Sequence, residues 1–101
     1  GVINPHATFR VDRDTPSSAR LDADNGAGQL AAIAAMDLAI RKATRTGIGI
    51  GGVFHSNHFG AAGHYVWLAA RSNLIGLCTT NSALWLAPTG GLTPLFGTNP
   101  L

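Results

Sequence analysis

The stretch that most limits the possible folds is GAGQLAAIAAMDLAIRKATRT, residues 26–46, which runs directly into GIGIGGVF, residues 47–54. In the first, Leu30, Ile33, Met36, Ile40 and Ala43 recur every three or four positions, the stripe of a helix that buries one face. Asp24 or Asn25 is placed to cap its start, Asp37 and Arg41 form an i,i+4 pair, and Gly47 suits the position just past its end. In the second, Ile48, Ile50, Val53 and Phe54 read as a short buried strand. The rest of the chain has to be arranged around that helix and that strand.

A second helix is expected over residues 59–72, with Ser56 or Asn57 as its cap and Val66, Leu68 and Ala69 turned to the core. LIGLCT, residues 74–79, reads as another buried strand. The fold class expected is therefore α/β: a strand-helix-strand crossover preceded by a long helix. The connection is long enough for the two strands to run parallel. Parallel strands release their following loops at one carboxyl edge, where ligands bind in open sheets. Those loops would be HSNH, residues 55–58, and TTNS, residues 79–82. Before this core, residues 1–25 are polar and broken by Pro5 and Pro16. Extended pieces are expected there at 7–11 and 19–21, joined by the turn-rich DRDTPSS, with too few apolar residues to fold alone. After the core, residues 83–101 are rich in Gly, Pro and Thr and read as ordered loops. The whole is a single partial domain with its core at 26–82.

Composition narrows the partners. Of 101 residues, 12% are charged against 46% hydrophobic. That is about half the usual charge fraction, and it points to a surface partly covered by a partner subunit or by further sequence. The net charge of +2 is too small, and its seven Lys and Arg too scattered, to suggest nucleic acid. The tightest basic group, Arg41, Lys42 and Arg45, complements the helix dipole instead. A lone Cys78 in an apolar run excludes an internal disulfide and a cysteine-built zinc site, and reads as a small buried residue. No apolar run approaches the roughly 20 residues that span a membrane. The chain opens at Gly1 without a signal peptide, and the cytoplasm is the expected compartment.

Two glycine patterns imitate a dinucleotide fingerprint. Gly47, Gly49 and Gly52 have the spacing, but they follow a helix and enter a strand, the reverse of what phosphate binding needs. A helix C-cap followed by a close-packed strand accounts for them. Gly26 and Gly28 do open a helix, yet the preceding SARLDADN is a poor buried strand. The histidines are more informative, since His55, His58 and His64 fall within FHSNHFGAAGH, residues 54–64. A metal needs at least three converging ligands, and six positions place His58 and His64 on opposite sides of a helix at roughly 100° per residue. No Asp or Glu follows Asp37 to complete such a set. A general base needs one histidine only. His58, at the expected mouth of the second helix and followed by Gly60, is the candidate, because a helix amino terminus disfavours the imidazolium. Capping or a backbone bond is the competing role for that residue.

Taken together, SNHFGAAGHYVWLAA, LIGLCTTNSALWLAPTGG, the terminal FGTNPL and the upstream LDADNGAGQLAAIAAMDLAI resemble the malate/L-lactate dehydrogenase family of the second type. That family includes ureidoglycolate and sulfolactate dehydrogenases and diketogulonate and piperideine-2-carboxylate reductases. The resemblance covers nearly the whole chain. It implies hydride transfer between NAD or NADP and the C2 of a small 2-hydroxy or 2-oxo acid, on a mixed sheet unrelated to the Rossmann fold. The family's acid/base histidine falls on His58. Its cofactor-contacting serine falls on Ser82, with Thr80 and Asn81 beside it, and Asn99 would lie near the same pocket. No metal is implied, and the full-length protein would be a cytoplasmic homodimer.

The family's upstream Ser-His pair and substrate-orienting Arg do not appear in this chain, nor do the later segments that hold the rest of the cofactor. The resemblance therefore implies an internal fragment, inactive as a dehydrogenase by itself. The alternative is a non-enzymatic module that binds a metal or a partner through His55, His58 and His64.

Overall fold

The structure, a computed structural model, describes residues 3–81. Their order is β1 (Arg10–Asp14), β2 (Ser18–Asp22), α1 (Gly28–Thr46), β3 (Ile50–Phe54) and α2 (Ala62–Arg71). The described strands form one mixed sheet in the order β1-β2-β3, with β1 antiparallel to β2 and β2 parallel to β3. The fold is thus α/β with a mixed sheet, as expected. The polar lead-in contributes more than its composition suggests, for it supplies two of these three strands.

The β1–β2 hairpin turns where the sequence places a turn. The Thr15 amide N–H donates to the Ser18 carbonyl at 2.8 Å, and the two side-chain hydroxyls lie 2.6 Å apart. The pairing register shifts between Val11 and Arg13, a bulge that leaves Asp12 between paired positions. Its carboxylate takes both the Nε and Nη2 of Arg20, at 2.9 and 2.5 Å, and that guanidinium holds the Asp12 carboxyl below the usual carboxylate range.

A parallel crossover is present, but one unit earlier than expected. It runs from β2 through α1 to β3. Residues 74–81, read above as a strand and the loop after it, form neither helix nor strand. The chain leaving α2 is drawn back along that helix. The Leu74 amide donates to the Ala69 carbonyl at 3.1 Å, and Gly76 lies against Val66 and Ala69.

Helix α1 also presents a different face from the one its large residues mark. Gly28, Ala31, Ala35 and Ala39 are buried, whereas Leu30 is 61% exposed and Ile33 41%. The cause lies in the strand beneath. A Cβ at Gly51 would stand 2.5 Å from the Ala35 carbonyl oxygen, and Gly49 is closer still to Ala39. Helix and strand meet backbone to backbone, so only a seam of glycine and alanine fits between them, and the larger residues flank it. GIGIGG is accordingly packing, with Gly47 as a left-handed C-cap (φ 92°) whose N–H reaches the Ala43 carbonyl. Within the buried residues, Leu21, Ala23 and Ala31 form one contiguous cluster, with Phe9 and Ala34 packed against it.

The expected caps are absent. Helix α1 begins after Ala27 and α2 after Ala61, neither with a side-chain cap, so none of Asp24, Asn25, Ser56 and Asn57 caps a helix.

Candidate active site

Because β2 and β3 are parallel and Asp22 pairs with Phe54, their carboxyl ends lie side by side. The loops that leave this edge are residues 23–27 and 55–61, so the partner of HSNH is ADNGA and not TTNS. Main-chain bonds join them directly. The Ala23 amide donates to the Phe54 carbonyl at 3.0 Å and the Asn25 amide to the His55 carbonyl at 2.8 Å. Both loops turn through left-handed residues, Asp24 and Asn25 on one side and His55 on the other, with φ between 51° and 56°. Asp and Asn tolerate that conformation better than most side chains.

Asn57 fastens the second loop to the first. Its Nδ2 donates to the Gly26 carbonyl at 2.8 Å and lies 3.1 Å from both the carbonyl and the side-chain oxygen of Asn25. The start of α1 closes on the same segment, since a Cβ at Gly28 would overlap the carbonyl oxygens of Asn57 and His58. On the other side of His58, the Tyr65 hydroxyl donates to the Phe59 carbonyl, and the two rings stack at 5.0 Å. Tyr65 is only 3% exposed, and its desolvation, with a smaller contribution from Cys78, raises its hydroxyl pKa above the ordinary value. His58 therefore stands on a segment pinned through both of its chain neighbours, while its own side chain is exposed. Its Nδ1 accepts the Gly60 N–H at 3.2 Å. In a neutral ring that contact leaves the hydrogen on Nε2.

This setting corrects one expectation. Helix α2 starts at Ala62, so His58 lies in the loop ahead of it and not at a helix mouth.

The other histidines are engaged separately. His55 Nδ1 lies 3.2 Å from Asp22 Oδ1 at the end of the neighbouring strand. The Asp22 carboxyl is held below its ordinary value first by the Asp24 N–H, 2.9 Å away, which outweighs the desolvation that opposes it, and then by lesser contributions from His55 and Arg10. An open cleft beside this pair is lined by Asp22, Asp24, Asn25, His55 and Ser56. His64, on α2, stacks on Trp67 and meets the edge of Tyr65. The trio is thus not one cluster, and among the described residues no group of three His, Cys, Asp or Glu side chains is placed to hold a metal.

Of the expected cofactor residues, Thr80 donates its hydroxyl to the Asn81 carbonyl at 3.1 Å, and Asn81 is exposed. Ser82 and Asn99 lie outside the described residues. The strand expected at residues 74–79 is not formed, so no crossover among the described residues carries Thr80 and Asn81 to the His58 edge. Burial raises the Cys78 thiol above its ordinary value, as suits a packing residue. Sequence reasoning treated Asn57 only as a possible cap and passed over Tyr65. An amide donor beside an Asn-Gly turn was the available signal for the first.

The chain can also be placed among known proteins. A family model described as malate/L-lactate dehydrogenase matches residues 1–101. A malate dehydrogenase of Pyrococcus abyssi is 50% identical over the whole chain, which covers 28% of that protein. The ureidoglycolate dehydrogenase (NAD(+)) of Escherichia coli O157:H7 is 41% identical over the same span, 29% of its length. Among solved structures, malate dehydrogenase from Pyrococcus horikoshii OT3 superposes with a TM-score of 0.88 at 47% identity, over 96% of this chain and 28% of that one. The chain therefore spans under a third of the length of the relatives it matches.

Proposed function

The chain belongs to the malate/L-lactate dehydrogenase family, and from that premise we propose that its full-length protein oxidises a small 2-hydroxy acid to the 2-oxo acid, and the reverse, with His58 as the acid/base. The observation that carries this reading is the placement of His58. Its ring is exposed on a carboxyl-edge loop whose flanking residues, Asn57 and Phe59, are both tied down. Such a loop presents a proton acceptor at a fixed place, and general-base catalysis from a positioned side chain is typically worth about 10² to 10⁴ in rate.

The chain's donor set fits a nicotinamide nucleotide in kind. The hydroxyls of Thr80 and Ser82 and the amide of Asn81 are neutral groups of the sort that bond a carboxamide or ribose, and Asn99 belongs to the same pocket in this reading. The Gly26–Gly28 turn does not fit a pyrophosphate, since Gly28 is already filled by the backbone of Asn57 and His58. NAD or NADP, when bound, supplies the two-electron acceptor for the hydride leaving C2. His58 takes the hydroxyl proton in that direction and returns it in the other. A protonated ring carries hydrogen on both nitrogens, so proton uptake opens the Gly60 N–H contact. The names of the relatives point to malate or ureidoglycolate as substrates of the class. A cytoplasmic homodimer completes the reading, and the low charge of the chain is consistent with a covered face.

The test is His58→Gln in the full-length protein, assayed by NAD(P)H absorbance with malate, lactate and ureidoglycolate. Turnover should fall by about 10² or more while cofactor affinity holds. Undiminished turnover would remove His58 from the chemistry.

A further inference from the structure

We infer that Asn57 is a positioning residue for His58, an inference that rests on the acid/base reading above. Its amide is part-buried where it meets the Gly26 carbonyl. It spends its hydrogens on three oxygens of the loop before α1: the Gly26 carbonyl at 2.8 Å and the carbonyl and side-chain oxygen of Asn25 at 3.1 Å each.

The chemistry of the contact is selective. All three partners are acceptors, so the position requires a donor; a carboxylate of the same shape would face three oxygens with none to give. The geometry is also over-determined from the other side, because Gly28 presses on the Asn57 and His58 carbonyls and leaves the segment no room to retreat toward α1. Asn57 pulls the loop onto the helix start, and Gly28 sets how far it goes. The His58 Cα is fixed by that balance, and its ring projects from a backbone that does not drift. Loss of the amide would let the loop lift from residues 25–26, and a displacement of about 1 Å at a catalytic group can cost roughly 100-fold in rate.

Because Asn57 acts through His58, its effect should vanish once His58 is gone. The experiment is a double-mutant cycle in the full-length protein with N57D, H58Q and N57D/H58Q, with kcat, KM and the fraction folded measured for each. In the parent background N57D should lower kcat by roughly 10- to 100-fold with cofactor KM little changed. In the H58Q background it should lower kcat no further. An equal loss in both backgrounds makes Asn57 merely structural and overturns the inference. So does a lowered kcat in H58Q beside an intact kcat in N57D. An intact kcat in H58Q overturns the acid/base reading and this inference with it. N57A carries the same cycle should N57D fold poorly, since it removes the donor without adding charge.

Discussion

Gly49 and Ala39 meet backbone to backbone: a Cβ on Gly49 would overlap the Ala39 carbonyl oxygen, with nothing flexible to give way. Gly49→Ala should therefore separate α1 from β3 and cost more than the ~1–3 kcal/mol of ordinary overpacking. Thermal unfolding of the full-length protein checks this. An unchanged midpoint would mean that the helix–strand seam has slack.

Tyr65 offers a finer probe, because its ring and its hydroxyl do separable things. Tyr65→Phe keeps the buried ring stacked on Phe59 and removes the donor to the Phe59 carbonyl. The expected loss is about 0.5–1.5 kcal/mol, while Tyr65→Ala should cost about 3–5 kcal/mol through the cavity it leaves. Denaturant melts of the two variants separate these terms, and equal losses would contradict the division.

Asp22 gives the pH dependence a sign. Its folded carboxyl lies below the ordinary value, first because of the Asp24 N–H. The stabilisation is therefore complete above the unfolded pKa of about 3.9 and is lost as pH falls through the lower folded value. Asp12, held by Arg20, acts in the same direction. Stability measured across the acid range should decline more steeply in the parent than in Asp22→Asn. Parallel curves would show that the Asp24 and His55 contacts carry no differential protonation.

The helix of residues 28–46 and the position of the strand after it were legible because periodicity and a glycine C-cap are local signals, but that strand was expected to be buried and Ile50 on it is 58% exposed. The buried face of α1 was not. Hydrophobic size marked Leu30 and Ile33, but Gly49 and Gly51 demanded small partners, and that demand comes from a segment the helix's own pattern does not contain. The LIGLCT run misled for a related reason. Its apolar residues satisfy either a strand or a return along a helix, and the Leu74 bond to Ala69 decides for the second. His58 was singled out from its type and surroundings alone, whereas the loop that faces it was misassigned, because strand pairing is a long-range choice that sequence spacing does not encode. Asn57 was undervalued on the same ground: its three acceptors lie 31 or 32 residues away.

That separation bears on when the site takes shape during folding. The contacts that hold His58 reach back to residues 25 and 26, and α1 spans most of the interval. A helix that nucleates locally shortens the stretch over which two strands must search for each other, so β2, α1 and β3 can close as one early unit. Tyr65 adds the last tie from the first turn of α2. A growing chain that has cleared the ribosome through α2 holds every one of these partners. The loop bearing His58 would then be set before any later segment arrives, and would serve as the fixed template on which that segment docks.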